Sequence, residues 1–217
     1  MASSLKNILF DLGGVIVDIR RQDCIDAFRR LGFTDIADYL GDYGQSGFFL
    51  GIEDGSLTPE AFRDELRRHI PAEVTDAQLD DAFNAFITGI PLRRLQALRR
   101  LRAEGWKLYV ISNTNPIMWE QSLKREFEKE GMAREDYFDG IITSFEAKCC
   151  KPDRRIFDKV VTDFNIDPAE TIFFDDSQAN CSIGASLGFN AIHVPPGTDF
   201  IDLLPGHDLP PACGACC

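Results

Sequence analysis

The feature that most limits the possible folds is a series of short, uninterrupted apolar runs separated by helical patterns. The runs lie at 8–10, 108–111, 140–143, 171–174 and 191–194. An apolar run without polar alternation is typical of a strand that is covered on both faces, as in a parallel sheet flanked by helices. The succession therefore predicts an α/β fold, a Rossmann-like, doubly wound parallel sheet with right-handed crossovers.

Residues 19–90 interrupt this alternation with helical patterns alone. Gly32 is placed to end a first helix, and Thr58-Pro59-Glu60 combines a capping hydroxyl, a proline at the first helical position and an early acid. The 217 residues are enough for one domain and a smaller companion. We therefore predict a core at 1–18 and 91–204, an inserted all-helical cap at 19–90 and a flexible tail at 205–217.

The charge of the chain restricts its partners. Lys and Arg number 23 against 35 Asp and Glu, a net charge of −12. Such a balance argues against an extended surface for nucleic acid or anionic membranes, so any phosphate must be met locally. The sequence shows no signal-like apolar stretch at its start and no apolar run of membrane length. We therefore expect a cytoplasmic protein that acts on a small molecule.

Seven cysteines do not form the regular set of a small secreted scaffold. Cys149 and Cys150 precede Lys151, whose charge could lower a thiol pKa and permit regulatory oxidation, although a structural role is favoured. The segment 213–217 contains three cysteines without a fourth ligand at zinc-site spacing, so a frayed terminus is the preferred interpretation.

Polar side chains follow three of the predicted strands at the points where the strands end. They are Asp11, Ser112 with Asn113, and Asp175 with Asp176; Lys151 precedes a predicted helix. Because the carboxyl ends of parallel strands open on one edge of the sheet, these groups are expected to converge there. Clustered carboxylates need a cation, and hard oxygen ligands suit Mg²⁺. A lysine and a hydroxyl beside the metal suit a phosphoryl group.

With these motifs the chain resembles a haloacid dehalogenase superfamily phosphohydrolase that has a helical C1-type cap after the first strand. The resemblance covers residues 5–200 and rests on four motifs in order at strand ends. They are Asp11, Ser112, Lys151-Pro152, and Asp175-Asp176 with Asn180. Each motif alone is weak, whereas the ordered set is specific.

The resemblance implies a role for each residue. Asp11 would attack phosphorus and form an aspartyl-phosphate, and Lys151 would stabilise charge as the bond breaks. Mg²⁺ would be bound by Asp11, the Gly13 carbonyl, Asp176 and, directly or through water, Asp175. Asn180 would orient these ligands without touching the ion. The phosphate would be held by Ser112, Asn113, Lys151, Gly13 and Gly14.

One position departs from the family pattern. Most phosphatases of this family carry a second Asp two residues after the nucleophile, as the general acid and base, and here that position is Gly13. Losing such a group costs roughly a hundred- to ten-thousand-fold in rate unless another replaces it. Asp18 is one candidate replacement, and the substrate or the cap could provide others.

Three interpretations therefore stay open. The preferred one is a phosphatase for a small phosphorylated metabolite, because a subgroup with Gly at this position includes enzymes that act on sugar phosphates such as α-glucose 1-phosphate. The second is a catalytically impaired protein that binds phosphometabolites or regulates a partner. The third, a 2-haloacid dehalogenase, is disfavoured because it needs no Mg²⁺ and Asp175-Asp176 would then be a liability.

The cap is expected to select the substrate because it would close over the reacting edge and exclude water. Phe48-Phe49 and Arg20-Arg21 are candidates for facing the pocket. The alternative is that the phenylalanines form the core of the cap, which is favoured for Phe49, and that the arginines lie in a solvated hinge. Neither the substrate nor the oligomeric state follows from the sequence.

Overall fold

A five-stranded parallel sheet forms the centre of the protein. The computed structural model describes residues 5–41 and 44–204. Its strands are β1 (Asn7–Phe10), β2 (Asp18–Ile19), β3 (Ile87–Gly89), β4 (Lys107–Ser112), β5 (Gly140–Thr143), β6 (Thr171–Asp175) and β7 (Asn190–His193). Five of them form the order β5-β4-β1-β6-β7, and all their pairings are parallel. The predicted doubly wound α/β fold is therefore confirmed.

Ten helical segments surround the two sheets within the described residues. They are α1 (Arg21–Leu31), α2 (Gly47–Glu53), α3 (Pro59–His69), α4 (Asp76–Asn84), α5 (Leu92–Ala103), α6 (Pro116–Met118), α7 (Lys124–Phe127), α8 (Ser144–Ala147), α9 (Arg154–Phe164) and α10 (Gln178–Ser186). Short 3₁₀ turns lie at Ile36–Asp38, Glu128–Glu130, Arg134–Asp136, Pro168–Glu170 and Phe200–Leu203.

Strand β1 is buried on both faces, as its apolar run predicts. Phe10 stacks on Phe174 and meets the edge of Phe200 on one side of the sheet, and Leu9 packs with Phe173 in the core on the other side. Strands β4 and β6 lie on either side of β1. The end of β1 is therefore the centre of the sheet edge.

Helices α1 to α4, in the segment predicted as the cap, pack around aromatic side chains. Phe28, Phe49, Phe62 and Phe83 are fully or almost fully buried and contact one another at ring-centroid distances of 5.0 to 6.3 Å. The predicted start of α3 is confirmed, because the Thr58 hydroxyl accepts a hydrogen bond from the Ala61 N–H. Below, the cap means residues 19–90, a boundary that stays a prediction.

The prediction of helices alone in residues 19–90 is wrong. Ile87–Gly89 pairs in antiparallel fashion with Asp18–Ile19. β-Branched residues favour an extended backbone, and Gly89 adopts a φ of 140° that few other residues tolerate. This two-stranded ribbon carries the chain into and out of the cap.

Arg94 fixes the ribbon to the core. Its guanidinium donates to the carbonyl of Ile16 at 3.1 Å and to the Asp18 carboxylate at 2.7 Å, and it also pairs with the buried Asp199. The Asp18 side chain therefore points to Arg94.

The helix predicted near 118–128 is broken into three pieces. Between α6 and α7, Trp119–Leu123 forms a π-helical turn. The turn brings Gln121 against the cap, where its amide donates to Asp80 at 2.6 Å and accepts from Asn84 at 2.7 Å. π-Helical turns are common at functional sites, and this one makes a polar contact between core and cap.

No helix among the described residues is long and apolar enough to cross a membrane. The tail predicted at 205–217, with its three cysteines, lies outside the described residues.

Candidate active site

The polar groups predicted at the strand ends converge on one edge of the sheet. Asp11 follows β1, Ser112 ends β4 and Asp175 ends β6, and these strands are neighbours. One carboxylate oxygen from each of Asp11, Asp175 and Asp176 lies within 4.8 Å of the others. Residues 165 positions apart in the chain thus form one acidic cluster.

Lys151 provides the positive charge in this cluster. Its Nζ lies 2.9 Å from Oδ1 of Asp11 and 2.6 Å from Oδ2 of Asp175, and its side chain is 1% exposed. Although burial lowers the pKa of Lys151, Asp11 and Asp175 raise it above the ordinary value, so the ammonium stays charged.

Asn113 holds the backbone of Lys151. Its Nδ2 donates to the Lys151 carbonyl at 2.9 Å, and its Oδ1 accepts from the Lys151 N–H at 2.7 Å. The amide therefore fixes the backbone of Lys151 and keeps a second N–H hydrogen free of the Lys151 carbonyl. That Asn113 binds phosphate stays a prediction. Ser112 differs, because its Oγ makes only a 3.5 Å contact with the Asn113 carbonyl.

The carboxylate of Asp175 is surrounded by donors. Its Oδ1 accepts from the Ser177 N–H and from Nδ2 of Asn180, each at 2.9 Å, and its Oδ2 accepts from Lys151. Asp175 is fully buried. It therefore anchors Lys151 and the start of α10, and it accepts a hydrogen bond from Asn180, whose role in orienting metal ligands stays a prediction.

The carboxylate of Asp11 is held by one oxygen. Its Oδ1 accepts from the Leu12 N–H at 2.7 Å and contacts Lys151, whereas Oδ2 has no hydrogen-bond donor among the described residues. Burial raises the pKa of Asp11; Lys151 opposes this rise, and Asp175 and Asp176 add to it. One oxygen is thus fixed and the other is open.

Gly14 makes room for Asp176. A Cβ atom at Gly14 would lie 2.2 Å from Oδ2 of Asp176. The backbone of Gly14 has a φ of +73°, in the left-handed region that favours glycine. The Gly14 N–H donates to the Val17 carbonyl at 2.9 Å and is not available to phosphate. The Gly14 N–H thus gives no support to the prediction that Gly14 binds phosphate, which stays a prediction, and the glycine leaves space for the Asp176 carboxylate.

The acidic cluster fits a divalent cation. Burial, together with the neighbouring Asp175, raises the pKa of Asp176 to about 6. The carboxylate oxygens of Asp11 and Asp176 lie within 4.8 Å of each other, so it is costly to keep both groups charged without a cation. Open oxygens on Asp11 and Asp176 are hard donors of the kind that Mg²⁺ prefers. The residues present therefore suit the predicted Mg²⁺.

A cavity of about 100 Å³ opens from this cluster towards the cap. Its core end is lined by Asp11, Ser112, Lys151 and Asp176. Its other walls are mostly apolar and include Ile19, Phe83, Phe86, Ile87, Met118 and Leu123. A cavity of this size admits a small substrate and excludes a protein.

Two polar side chains of the cap, Gln45 and Glu53, also line the cavity, and the sequence reasoning missed both. Glu53 is buried, and burial raises its pKa to about 8; Gln45 opposes the rise by a side-chain hydrogen bond, and Asp54 adds to it. A sequence signal existed for Glu53. It follows Phe49 and Ile52 at helical spacing, so an acid occupies the apolar face of α2.

Other predicted candidates lie away from the cavity. Phe49 is fully buried in the aromatic cluster, as favoured, and Phe48 packs beside it. Arg20 pairs with Asp23, and Arg21 donates to the Leu40 carbonyl at 2.7 Å. None of these side chains lines the cavity, and neither does Asp18.

The hypothesis of a reactive thiol beside Lys151 is wrong. Burial raises the pKa of Cys149 above its ordinary value and that of Cys150 to about 12. Lys151 points away, into the acidic cluster. A thiol with a raised pKa is a poor nucleophile.

Comparison with known proteins agrees with this geometry. Residues 5–188 match the model of a family described as haloacid dehalogenase-like hydrolase. A D-ribitol-5-phosphate phosphatase of Bacteroides thetaiotaomicron is 37% identical over 90% of this chain and 95% of its own length. A glyceraldehyde 3-phosphate phosphatase of Pyrococcus abyssi is 29% identical over 79% of this chain and 73% of its own.

A solved structure is also similar throughout. It is a wild-type HAD family enzyme of Bacteroides thetaiotaomicron in complex with magnesium and inorganic phosphate. Its TM-score is 0.86 at 39% identity, over 92% of this chain and 99% of that one. The family match, the full-length similarity and the acidic cluster agree, and the chain therefore belongs to the haloacid dehalogenase-like hydrolases.

Proposed function

We propose that this protein is a Mg²⁺-dependent phosphatase that hydrolyses a small phosphorylated sugar or polyol through an aspartyl-phosphate. The observation that carries the proposal is the Asp11 carboxylate, with one oxygen held by Lys151 and Leu12 and the other open, at the base of a cavity. A site that only bound phosphate would not need an oriented anion at its centre, because like charges repel.

Asp11 attacks phosphorus, the bond from phosphorus to the alcohol oxygen breaks, and the Asp11 oxygen becomes part of an acyl phosphate. The leaving oxygen takes up a proton from water and departs as the alcohol. Ser112 Oγ donates to a phosphate oxygen, and Lys151 balances the charge that develops there. Water then attacks phosphorus, which releases inorganic phosphate and regenerates the Asp11 carboxylate.

Mg²⁺, when bound, reduces the repulsion between the Asp11 carboxylate and the anionic ester. Asp11 and Asp176 would hold it through their side chains, and Gly13 through its carbonyl. We assign Asp175 to a position behind these ligands because its oxygens are engaged by Ser177, Asn180 and Lys151.

The absence of a carboxylate at Gly13 favours one alternative, a phosphometabolite-binding protein with little turnover. A Cβ at Gly13 would meet Ile19 Cδ1 at 3.4 Å, an ordinary contact, so the backbone does not require glycine there. Oriented Asp11 and buried Lys151 favour turnover. A dehalogenase is disfavoured because it would gain nothing from Asp176 beside the nucleophile.

The substrate class is proposed from size, relatives and charge. The cavity between the core and the cap suits a small molecule rather than a macromolecule. Two relatives are named for phosphatase activity on D-ribitol 5-phosphate and glyceraldehyde 3-phosphate. The net charge of −12 disfavours nucleic acid and anionic membranes as partners.

We also propose a cytoplasmic location. Cys24, Cys149, Cys150 and Cys181 are free thiols, three of them buried, as is usual in a reducing compartment.

The test is phosphate release from D-ribitol 5-phosphate and from para-nitrophenyl phosphate, with Mg²⁺ and with EDTA. We expect Mg²⁺-dependent release that disappears in Asp11→Asn. Release at the same low rate from wild type and Asp11→Asn, together with Mg²⁺-dependent binding of inorganic phosphate, would instead support the binding protein.

A further inference from the structure

The two ends of the cavity differ in polarity. The core end has the acidic cluster, Lys151 and Ser112, whereas the cap end is apolar apart from Gln45 and Glu53 among the residues that the structure describes. A phosphate bound at the core end would direct its organic group towards these two side chains.

The side-chain oxygen of Gln45 is a hydrogen-bond acceptor that has no donor among the described residues. This atom, Oε1, is buried. A buried acceptor without a partner is unfavourable, so a ligand that donates to it gains binding energy. A substrate hydroxyl is such a donor.

Glu53 lacks a compensating charge. Its carboxyl is buried, and no cation of the described residues acts on it; its neighbours are the Gln45 amide, Asp54 at the end of its own helix and Cys150 from the core. An isolated ionised carboxylate is expensive in such a place. The protonated carboxyl is therefore the stable form at neutral pH, and it can both donate to and accept from a hydroxyl.

We propose that Gln45 and Glu53 form a hydroxyl-binding subsite that selects a neutral polyol or open-chain sugar as the group carrying the phosphate. The subsite rests on the phosphatase activity proposed above and adds the residues that recognise the hydroxyls of the substrate. Because no described cation lines the cap end, a second anionic group such as a carboxylate would find no partner there and would be rejected.

The subsite explains why an acid occupies the apolar face of α2. Phe49, Ile52 and Glu53 share that face, and the first two are fully buried in the core. An apolar side chain at this position would suit the packing better, so the buried carboxyl lowers the stability of the fold. Its assigned role in binding substrate hydroxyls gives it a function there.

The proposal is tested with two substrates that differ only in hydroxyls along a carbon chain, D-ribitol 5-phosphate and pentyl phosphate. The readout is the ratio of kcat/KM for the two. We expect Glu53→Leu and Gln45→Leu each to lower this ratio roughly ten- to hundredfold, the worth of one or two hydrogen bonds to a buried partner. Glu53→Gln, which keeps a neutral donor and acceptor, should retain most of the preference.

The exposed Glu73 provides matched controls, because Glu73→Leu and Glu73→Gln make the same changes on the cap surface. Both should leave the ratio as in wild type. Thermal unfolding of Glu53→Leu should show an unchanged or raised Tm, which separates lost recognition from lost folding.

Three results would contradict either the subsite or the proposed function. A wild-type ratio in Glu53→Leu and Gln45→Leu would overturn the subsite while leaving the phosphatase intact. A kcat for D-ribitol 5-phosphate abolished in Glu53→Gln, with KM unchanged, would also overturn it, because that pattern marks a proton donor. If wild type hydrolysed neither ester with Mg²⁺, the proposed function itself would fail.

Discussion

Nζ of Lys151 lies 2.9 Å from Oδ1 of Asp11, and both side chains are withdrawn from solvent. The same Nζ contacts Asp175, so one ammonium balances two buried carboxylates. A buried charge that loses its partner is strongly destabilising, whereas a surface pair contributes little.

Lys151→Met should therefore lower the free energy of unfolding by roughly 3 kcal/mol at pH 7, measured by urea denaturation. It should also reduce kcat by a hundredfold or more through lost stabilisation of developing charge. Lys159→Met removes an exposed lysine paired with Asp163 and serves as the control. Equal stability of the two variants would contradict the assigned role of Lys151.

Gly14→Ala should weaken Mg²⁺ binding by displacing Asp176. The added Cβ would lie 2.2 Å from Oδ2 of Asp176. Gly131→Ala is the matched control, since Gly131 has a φ of +74° against +73° at Gly14 but no atom within 4 Å of the new Cβ. Isothermal titration with Mg²⁺ should show at least tenfold weaker binding in Gly14→Ala alone. Equal affinities would mean that Asp176 does not bind the ion.

Gly13→Asp should restore an acid at the position where most family members carry one. The site tolerates a Cβ, with Ile19 at 3.4 Å. We expect kcat for pentyl phosphate to rise about tenfold or more, because an alkoxide needs a proton to leave. The rate with para-nitrophenyl phosphate, whose leaving group needs no acid, should change much less. A parallel change for both esters would show that protonation of the leaving group does not limit the rate.

Glu53 should make the stability of the wild type depend on pH. Its folded-state pKa of about 8 lies above the ordinary 4.5, so between these values the folded state keeps a proton that the unfolded state has lost. The free energy of unfolding therefore falls as pH rises through this window. Glu53→Gln should lack this decrease and become more stable relative to wild type from pH 5 to pH 8, measured by urea denaturation. Parallel curves would mean that Glu53 is ionised when folded.

The convergence of the site could be predicted from the sequence because it follows from topology. Strand β1 lies between β4 and β6, so Asp11, Ser112 and Asp175 had to meet at one edge. Each strand contains its own apolar run, and such a run indicates a strand that is buried on both faces of a parallel sheet.

The remaining features depend on contacts between distant residues. Asn113 donates a hydrogen bond to the Lys151 carbonyl, and Gly14 lies against Asp176 and donates to the Val17 carbonyl. No local sequence pattern encodes these contacts. Glu53 was overlooked because it is one of 35 acids, and its burial requires the fold of the cap. The strand at Ile87–Gly89 was missed because three residues are too few to show a period.

The aspartyl-phosphate can be detected by mass spectrometry of the protein quenched in acid during turnover of D-ribitol 5-phosphate with Mg²⁺. We expect a phosphoryl group on the peptide that contains Asp11, formed only with Mg²⁺ and absent in Asp11→Asn. Rapid phosphate release that persists in Asp11→Asn without any such adduct would contradict the proposed mechanism.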